Sequence, residues 1–152
     1  SICSLIPGKF SAAPYRPAGQ NPFEAKTMKQ SLLVSDDQQF LDLAAGILLS
    51  MGLETHIATT TQLVSDVWIA HRPSLVVADI EMEGGRGFES IAAARRLCSD
   101  LFIIAVTRGD DKDLWEKVAH VCGANEYVVG PVSAPKLSAA IDNGVTAGLV
   151  EG

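Results

Sequence analysis

Two adjacent aspartates, Asp36 and Asp37, follow the apolar run Leu32-Leu33-Val34 after Ser35, and Asp79 directly follows Leu75-Val76-Val77-Ala78. A third run, Phe102-Ile103-Ile104-Ala105-Val106, ends on Thr107. Polar groups at the C-terminal ends of buried strands line the ligand crevice of an open parallel sheet. Three carboxylates brought together there repel one another, an arrangement normally tolerated only where a cation or a proton resolves it. Mg²⁺ is the natural cation, being hard, oxygen-seeking and content with one or two carboxylates, waters and a substrate phosphate. Taken singly, each residue has a plainer reading. Asp36 or Asp37 before Gln38 could cap a helix, and Thr107 could satisfy nearby backbone. The conjunction of all four favours a site.

The elements that would position these groups are legible from Met28 onward, where short β-branched or Leu-rich runs alternate five times with longer amphipathic ones. Strands are expected at Ser31–Val34, Thr55–Ala58, Leu75–Ala78, Phe102–Val106 and Glu126–Val129. Helices are expected at Gln38–Met51, Thr61–His71, Phe88–Ser99, Lys112–Cys122 and Pro135–Gly148. Most strands are apolar on consecutive positions, as strands covered on both faces require. In the first helix Phe40, Leu43, Ala44, Ile47, Leu48 and Met51 share one face. Right-handed crossovers then give an α/β fold: a doubly wound (βα)5, flavodoxin-like three-layer sandwich around a five-stranded parallel sheet. Residues 1–27 hold four of the seven prolines and read as an N-terminal arm, with the domain at residues 28–150. Glu151-Gly152 could be a remnant of cloning, and no function is assigned to them.

Bulk composition narrows the function classes. A chain of 152 residues, 47% hydrophobic and 20% charged, suits one domain with one good core. A net charge of −6, without a basic cluster, argues against direct nucleic-acid binding by this segment. Cys3, Cys98 and Cys122 are an odd set without metal or redox spacing, which fits free thiols in a reducing compartment. The longest apolar stretch, Phe40 to Leu53, contains Asp42 and Ser50 and is too short to span a bilayer. With no signal peptide in the first residues, a cytoplasmic protein without membrane contact is expected. His56, His71 and His120 have no ligand spacing and are assigned no metal.

Taken together, Leu32 to Asp37, the loop Asp79-Ile80-Glu81-Met82-Glu83-Gly84-Gly85-Arg86-Gly87, Val106-Thr107 and Tyr127-Val128-Val129-Gly130-Pro131 resemble a response-regulator receiver domain. The resemblance runs from Met28 to about Gly148. Its strongest piece is the family pattern Asp-x-x-Met-Pro-x-x-x-Gly, matched at Asp79, Met82 and Gly87 with Glu83 in place of the proline. The resemblance implies that Asp79 is the phosphoacceptor, a carboxylate nucleophile attacking a phosphohistidine or small acyl phosphate. It implies that Asp36, Asp37, Asp79 and the backbone carbonyl of Glu81 hold Mg²⁺, which spreads the charge on the transferring phosphoryl group. Thr107 would hydrogen-bond that group, Tyr127 would be the switch aromatic, and the Gly130-Pro131 bond would be cis.

One departure stands out. The family's lysine before the proline of the fifth βα loop is Gly130 here, and no ammonium can reach a phosphoryl group from a glycine. The missing bond is worth on the order of 1.5–3 kcal/mol, so altered switching is expected, and lysine at position 130 should restore the response. Arg108 could substitute in part, although its ordinary reading is a solvated loop cation; Lys112 and Lys136 are treated alike. Three functions are carried forward. The first is an Mg²⁺-dependent phosphoacceptor, with slow self-dephosphorylation, between a histidine kinase or phosphotransfer protein and a downstream effector. The second is a phosphorylation-independent protein-interaction module. The third is a metal-assisted phosphatase or flavin-binding protein on a similar sheet, ranked last because Asp79-Ile80-Glu81 lacks the second aspartate of an Asp-x-Asp motif and the acidic first loop would repel a flavin phosphate. The arm is expected to pack its apolar groups (Ile2, Leu5, Ile6, Phe10, Tyr15 and Phe23) onto the domain or, as a homodimer, onto a second copy.

Overall fold

In the computed structural model, residues 29–109 and 111–146 are described; the expectations for the arm, for Gly148 and for residues 151–152 fall outside them. The element order is β1 (Lys29–Val34), α1 (Gln38–Ser50), β2 (Leu53–Ala58), α2 (Leu63–His71), β3 (Leu75–Asp79), a helical turn α3 (Met82–Gly85), α4 (Gly87–Leu97), β4 (Phe102–Val106), α5 (Trp115–Cys122), β5 (Glu126–Val128) and α6 (Ala134–Thr146). The five strands form one parallel sheet in the order β2-β1-β3-β4-β5. β3 and β4 are buried at every position and β1 at its last four, whereas the edge strands β2 and β5 expose part of theirs. Consecutive apolar residues are what a central strand needs when helices cover both of its faces.

Alternation along the strands sorts their side chains into two cores. Leu32, Val34, Val76, Ala78, Ile103 and Ala105 face one side, where they meet Val64 and Trp68 of α2, Ile91 and Ala94 of α4 and Ala119 of α5. Leu33, Leu75, Val77, Phe102, Ile104 and Val106 face the other, against Phe40, Leu41, Ala44, Ile47 and Leu48 of α1 and Leu137, Ala140 and Ile141 of α6. The result is the expected three-layer sandwich.

The chain places β2 on one side of β1 and β3 on the other, so the sheet's topological switch lies between β1 and β3. Crevices form at the carboxyl ends of strands at such a point. The register is close there: Val34 pairs with Ala78, and Asp79 pairs with Val106, immediately before Thr107. Asp36, Asp79 and Thr107 are thereby brought to one edge of the molecule.

Some boundaries differ from expectation. α5 begins at Trp115 rather than Lys112, because Leu114 sits in the left-handed region at φ 70° and interrupts the helix. The loop after Asp79 contains the turn α3, with Glu83 at φ 52° and Gly84 at φ 70°. Cys98 is disulfide-bonded and Cys122 is a free thiol, so the expectation of three free thiols fails at Cys98. An odd cysteine count leaves room for one bridge, and bridging depends on Cα and Cβ placement that spacing along the chain does not reveal.

Candidate functional site

Asp79 closes β3 and is wholly buried. A buried carboxylate requires partners, and it has three. Ser35 Oγ donates to its Oδ2 at 2.7 Å, Arg108 Nε donates to the same oxygen at 2.6 Å, and the backbone N–H of Glu81 donates to Oδ1 at 2.9 Å. Burial nevertheless dominates and pushes the Asp79 pKa above the ordinary carboxylate range, with the three hydrogen bonds and the Arg108 charge pulling the other way.

Asp36 stands beside it on the β1 loop. Its Oδ1 accepts from the second arm of the Arg108 guanidinium at 2.6 Å, and its Oδ2 accepts from the backbone N–H of Glu83 at 2.8 Å. Asp37 does the plainer work open to it in the sequence: as N-cap of α1 it accepts from the Phe40 N–H at 3.3 Å. Its own N–H donates to Ser35 Oγ, so Ser35 ties the cap to Asp79. Glu81 accepts from the Arg108 N–H through Oε2 at 2.6 Å.

Arg108 corrects the sequence reading. It is a two-carboxylate clamp, 32% exposed, with ion pairs to both Asp79 and Asp36, rather than a solvated loop cation. The planar fork of a guanidinium suits such bridging. The other cations near the crevice are engaged elsewhere. Lys136 Nζ donates to the carbonyls of Val129 and Pro131 at 2.8 and 3.4 Å, and Lys112 lies over the Trp115 ring at 4.8 Å.

Thr107 is wholly buried, and its hydroxyl donates to the Gly109 carbonyl at 3.0 Å while accepting from the Gly130 N–H at 2.8 Å. It joins the β4 and β5 loops. Tyr127, half-buried on β5, donates to Asp111 Oδ1 at 2.5 Å. Burial, followed by that bond and the Asp111 charge, raises its pKa well above the usual phenol value. The Gly130–Pro131 peptide is cis.

The expectation that lysine at position 130 would restore a phosphoryl contact meets a steric obstacle. A Cβ built there would lie 2.1 Å from the Thr107 carbonyl oxygen and 2.7 Å from the Arg108 carbonyl carbon. Both are backbone atoms, which cannot swing aside as a side chain would.

Oxygen donors of the kind Mg²⁺ prefers are present. Two carboxylates from neighbouring strand ends already share one cationic group, and Asp37 and the Glu81 backbone adjoin them, so the residues fit a divalent ion. Among the described residues, no set of three or more His, Cys, Asp or Glu side chains is gathered around one point. Sequence reasoning missed Ser35 as a partner of Asp79, although its position one residue beyond an apolar strand is a usable signal. It also missed the stacking of His56 on His71, with ring centroids 3.5 Å apart, which joins β2 to the end of α2.

The family model of the response regulator receiver domain matches residues 32–142. The photosynthetic apparatus regulatory protein RegA of Rhodobacter capsulatus is 29% identical over 110 residues, 72% of this chain and 59% of that protein, so the chain spans less than two thirds of that relative. A CheY-like receiver domain protein from Methanospirillum hungatei JF-1 superposes with a TM-score of 0.69 at 26% identity, covering 83% of this chain and all of that one. The response regulator TrrA of Thermotoga maritima, solved in complex with Mg(2+)-BeF, superposes with a TM-score of 0.66 at 26% identity over 76% of this chain and 98% of that one.

Proposed function

The chain belongs to the response regulator receiver domain family, and from that premise we propose that it accepts a phosphoryl group on Asp79 and relays the change to a downstream effector. The observation that carries this reading is the setting of Asp79, a wholly buried carboxylate at a strand end, held by Ser35 and the Glu81 N–H beside a second carboxylate. The donor is a histidine kinase or phosphotransfer protein. A carboxylate oxygen of Asp79 attacks phosphorus, the bond from phosphorus to the donor nitrogen or oxygen breaks, and the leaving group takes the electron pair. Asp36, Asp37, Asp79 and the backbone carbonyl of Glu81 are the groups that would hold Mg²⁺. When bound, the ion supplies neutralisation of the negative charge on the phosphoryl oxygens.

Thr107 would break from the Gly109 carbonyl to donate to the new phosphoryl oxygens. That exchange disturbs the bridge to Gly130 and, on the next strand, Tyr127, whose bond to Asp111 is the candidate reporter. The acyl phosphate would hydrolyse slowly in place. On this reading the protein works in the cytoplasm; among the described residues no helix is long and apolar enough to cross a membrane.

A second reading, a phosphorylation-independent interaction module, draws on Arg108 and Gly130: the guanidinium already pairs with both carboxylates, and a Cβ at position 130 would meet the backbone of Thr107 and Arg108. Incubation with phosphoramidate or acetyl phosphate, with and without Mg²⁺, followed by intact mass, decides between them. The acceptor reading expects one added phosphoryl group, dependent on Mg²⁺ and absent in Asp79→Asn. An unmodified wild-type protein at saturating donor overturns the acceptor reading and favours the interaction module.

A further inference from the structure

We propose that Arg108 is a built-in competitor for the divalent cation, so that metal binding requires its guanidinium to leave the acidic pair. The inference rests on the metal part of the reading above. Three observations carry it. Arg108 spans the two carboxylates with one fork, Nε to Asp79 Oδ2 and the other nitrogen to Asp36 Oδ1, each at 2.6 Å. Its backbone N–H is fixed on the Glu81 carboxylate at 2.6 Å, so the side chain is aimed into the crevice from an anchored position. The cations that could have shared this work, Lys136 and Lys112, are occupied on loop carbonyls and on the Trp115 ring.

Charge makes the two occupants exclusive. A guanidinium cannot be deprotonated in a protein, and a dication placed on the same carboxylates would face an undiminished positive charge at close range. Charge-assisted hydrogen bonds are among the stronger polar contacts, and Arg108 makes one to each carboxylate, so the ion has to displace something of consequence. One of the pair's two negative charges is thus balanced without metal, and the price is a weakened metal site. Because linkage is reciprocal, anything that draws Arg108 away from Asp36 and Asp79 also tightens metal binding by the same factor. An arriving phosphoryl group is one such agent, since it offers the freed guanidinium an anion of its own. The site then carries its cation on the β4 loop, where the β5 loop has no room for one.

The test is a calorimetric titration of MgCl₂, at constant ionic strength, into wild type, Arg108→Ala and Arg108→Gln. The glutamine variant keeps a polar side chain should alanine disturb the fold, and amide spectra report folding for both. Both variants are expected to bind Mg²⁺ more tightly than wild type by about tenfold or more, within the usual range of site-to-site coupling. In wild type the Arg108 Nε–H resonance should also move as Mg²⁺ is added. Equal affinity in all three proteins, with an unmoved Nε–H resonance, overturns the competition and leaves the metal site standing. Absence of Mg²⁺ uptake by all three overturns the metal site itself, and the competition with it.

Discussion

Two loops at the same edge of the sheet each contain a glycine with no room for a side chain, yet they relate to the family in opposite ways. In the β3–α4 loop a Cβ on Gly87 would lie 2.2 Å from the Asp79 carbonyl oxygen, and in the β5–α6 loop a Cβ on Gly130 would lie 2.1 Å from that of Thr107. Gly87 fits the receiver pattern and lets α4 start against the backbone of Asp79. Gly130 stands where the sequence resemblance leads one to expect lysine, and its N–H reaches the Thr107 hydroxyl across to the β4 loop. At Gly130 the space a side chain would need is filled by the backbone of Thr107 and Arg108, and a positive charge stands one loop away, on Arg108.

The sharpest way to break the comparison is to add atoms at both glycines. Gly87→Ala and Gly130→Lys are each expected to destabilise by about 1–3 kcal/mol or more, the range for overpacking. Urea denaturation reads this as a lower midpoint at unchanged slope. A Gly130→Lys protein as stable as wild type would show that the β5 loop can open, and would return the lysine to the list of workable contacts.

Thr107→Val removes the acceptor of the Gly130 N–H and the donor to Gly109 while keeping the shape. Leaving a buried N–H without a partner costs about 1–3 kcal/mol. Thr107→Ser should recover most of that loss in the same denaturation experiment, because the hydroxyl is what joins the loops.

Asp37→Ala tests the other side of the crevice. Loss of the α1 cap should cost about 1 kcal/mol. If Asp37 also serves the metal, the variant loses Mg²⁺ affinity in the titration as well, whereas a cap alone leaves it unchanged.

The smallest effect is expected from pH. Burial raises the Asp79 pKa in the folded protein, so the folded state holds the proton more firmly than the unfolded chain. Stability from this group is fully present below the ordinary carboxylate pKa and is lost as pH rises through the raised folded value. The stability of wild type relative to Asp79→Asn should therefore fall over that window. A difference that is flat in pH would mean that Ser35, Arg108 and the Glu81 N–H offset burial completely.

The strands were legible from the sequence because a strand covered on both faces must be apolar at consecutive positions, and β1, β3 and β4 are. Their order placed Asp36, Asp79 and Thr107 at one edge, since strand ends follow from connectivity alone. Loops were less legible. Leu114 and Glu83 take left-handed backbone that no composition rule favours for those residues, so the start of α5 and the turn α3 were displaced from expectation. Helix capping by Asp37 was visible as one of two readings, and the local pattern before Gln38 could not choose between them.

The alternating βα order, the two-sided sheet and the placement of Asp36, Asp79 and Thr107 at strand ends were already fixed in the chain, because these depend on periodicity and on contacts near in sequence. Where charge and space are assigned depended instead on long-range packing. Arg108 reaches across 29 residues to Asp79 and 72 to Asp36. The Gly130 N–H meets the Thr107 hydroxyl, 23 residues away. Neither pairing leaves a periodic trace along the chain, because a side chain's partner and a glycine's lack of room are set by which loops the sheet brings side by side.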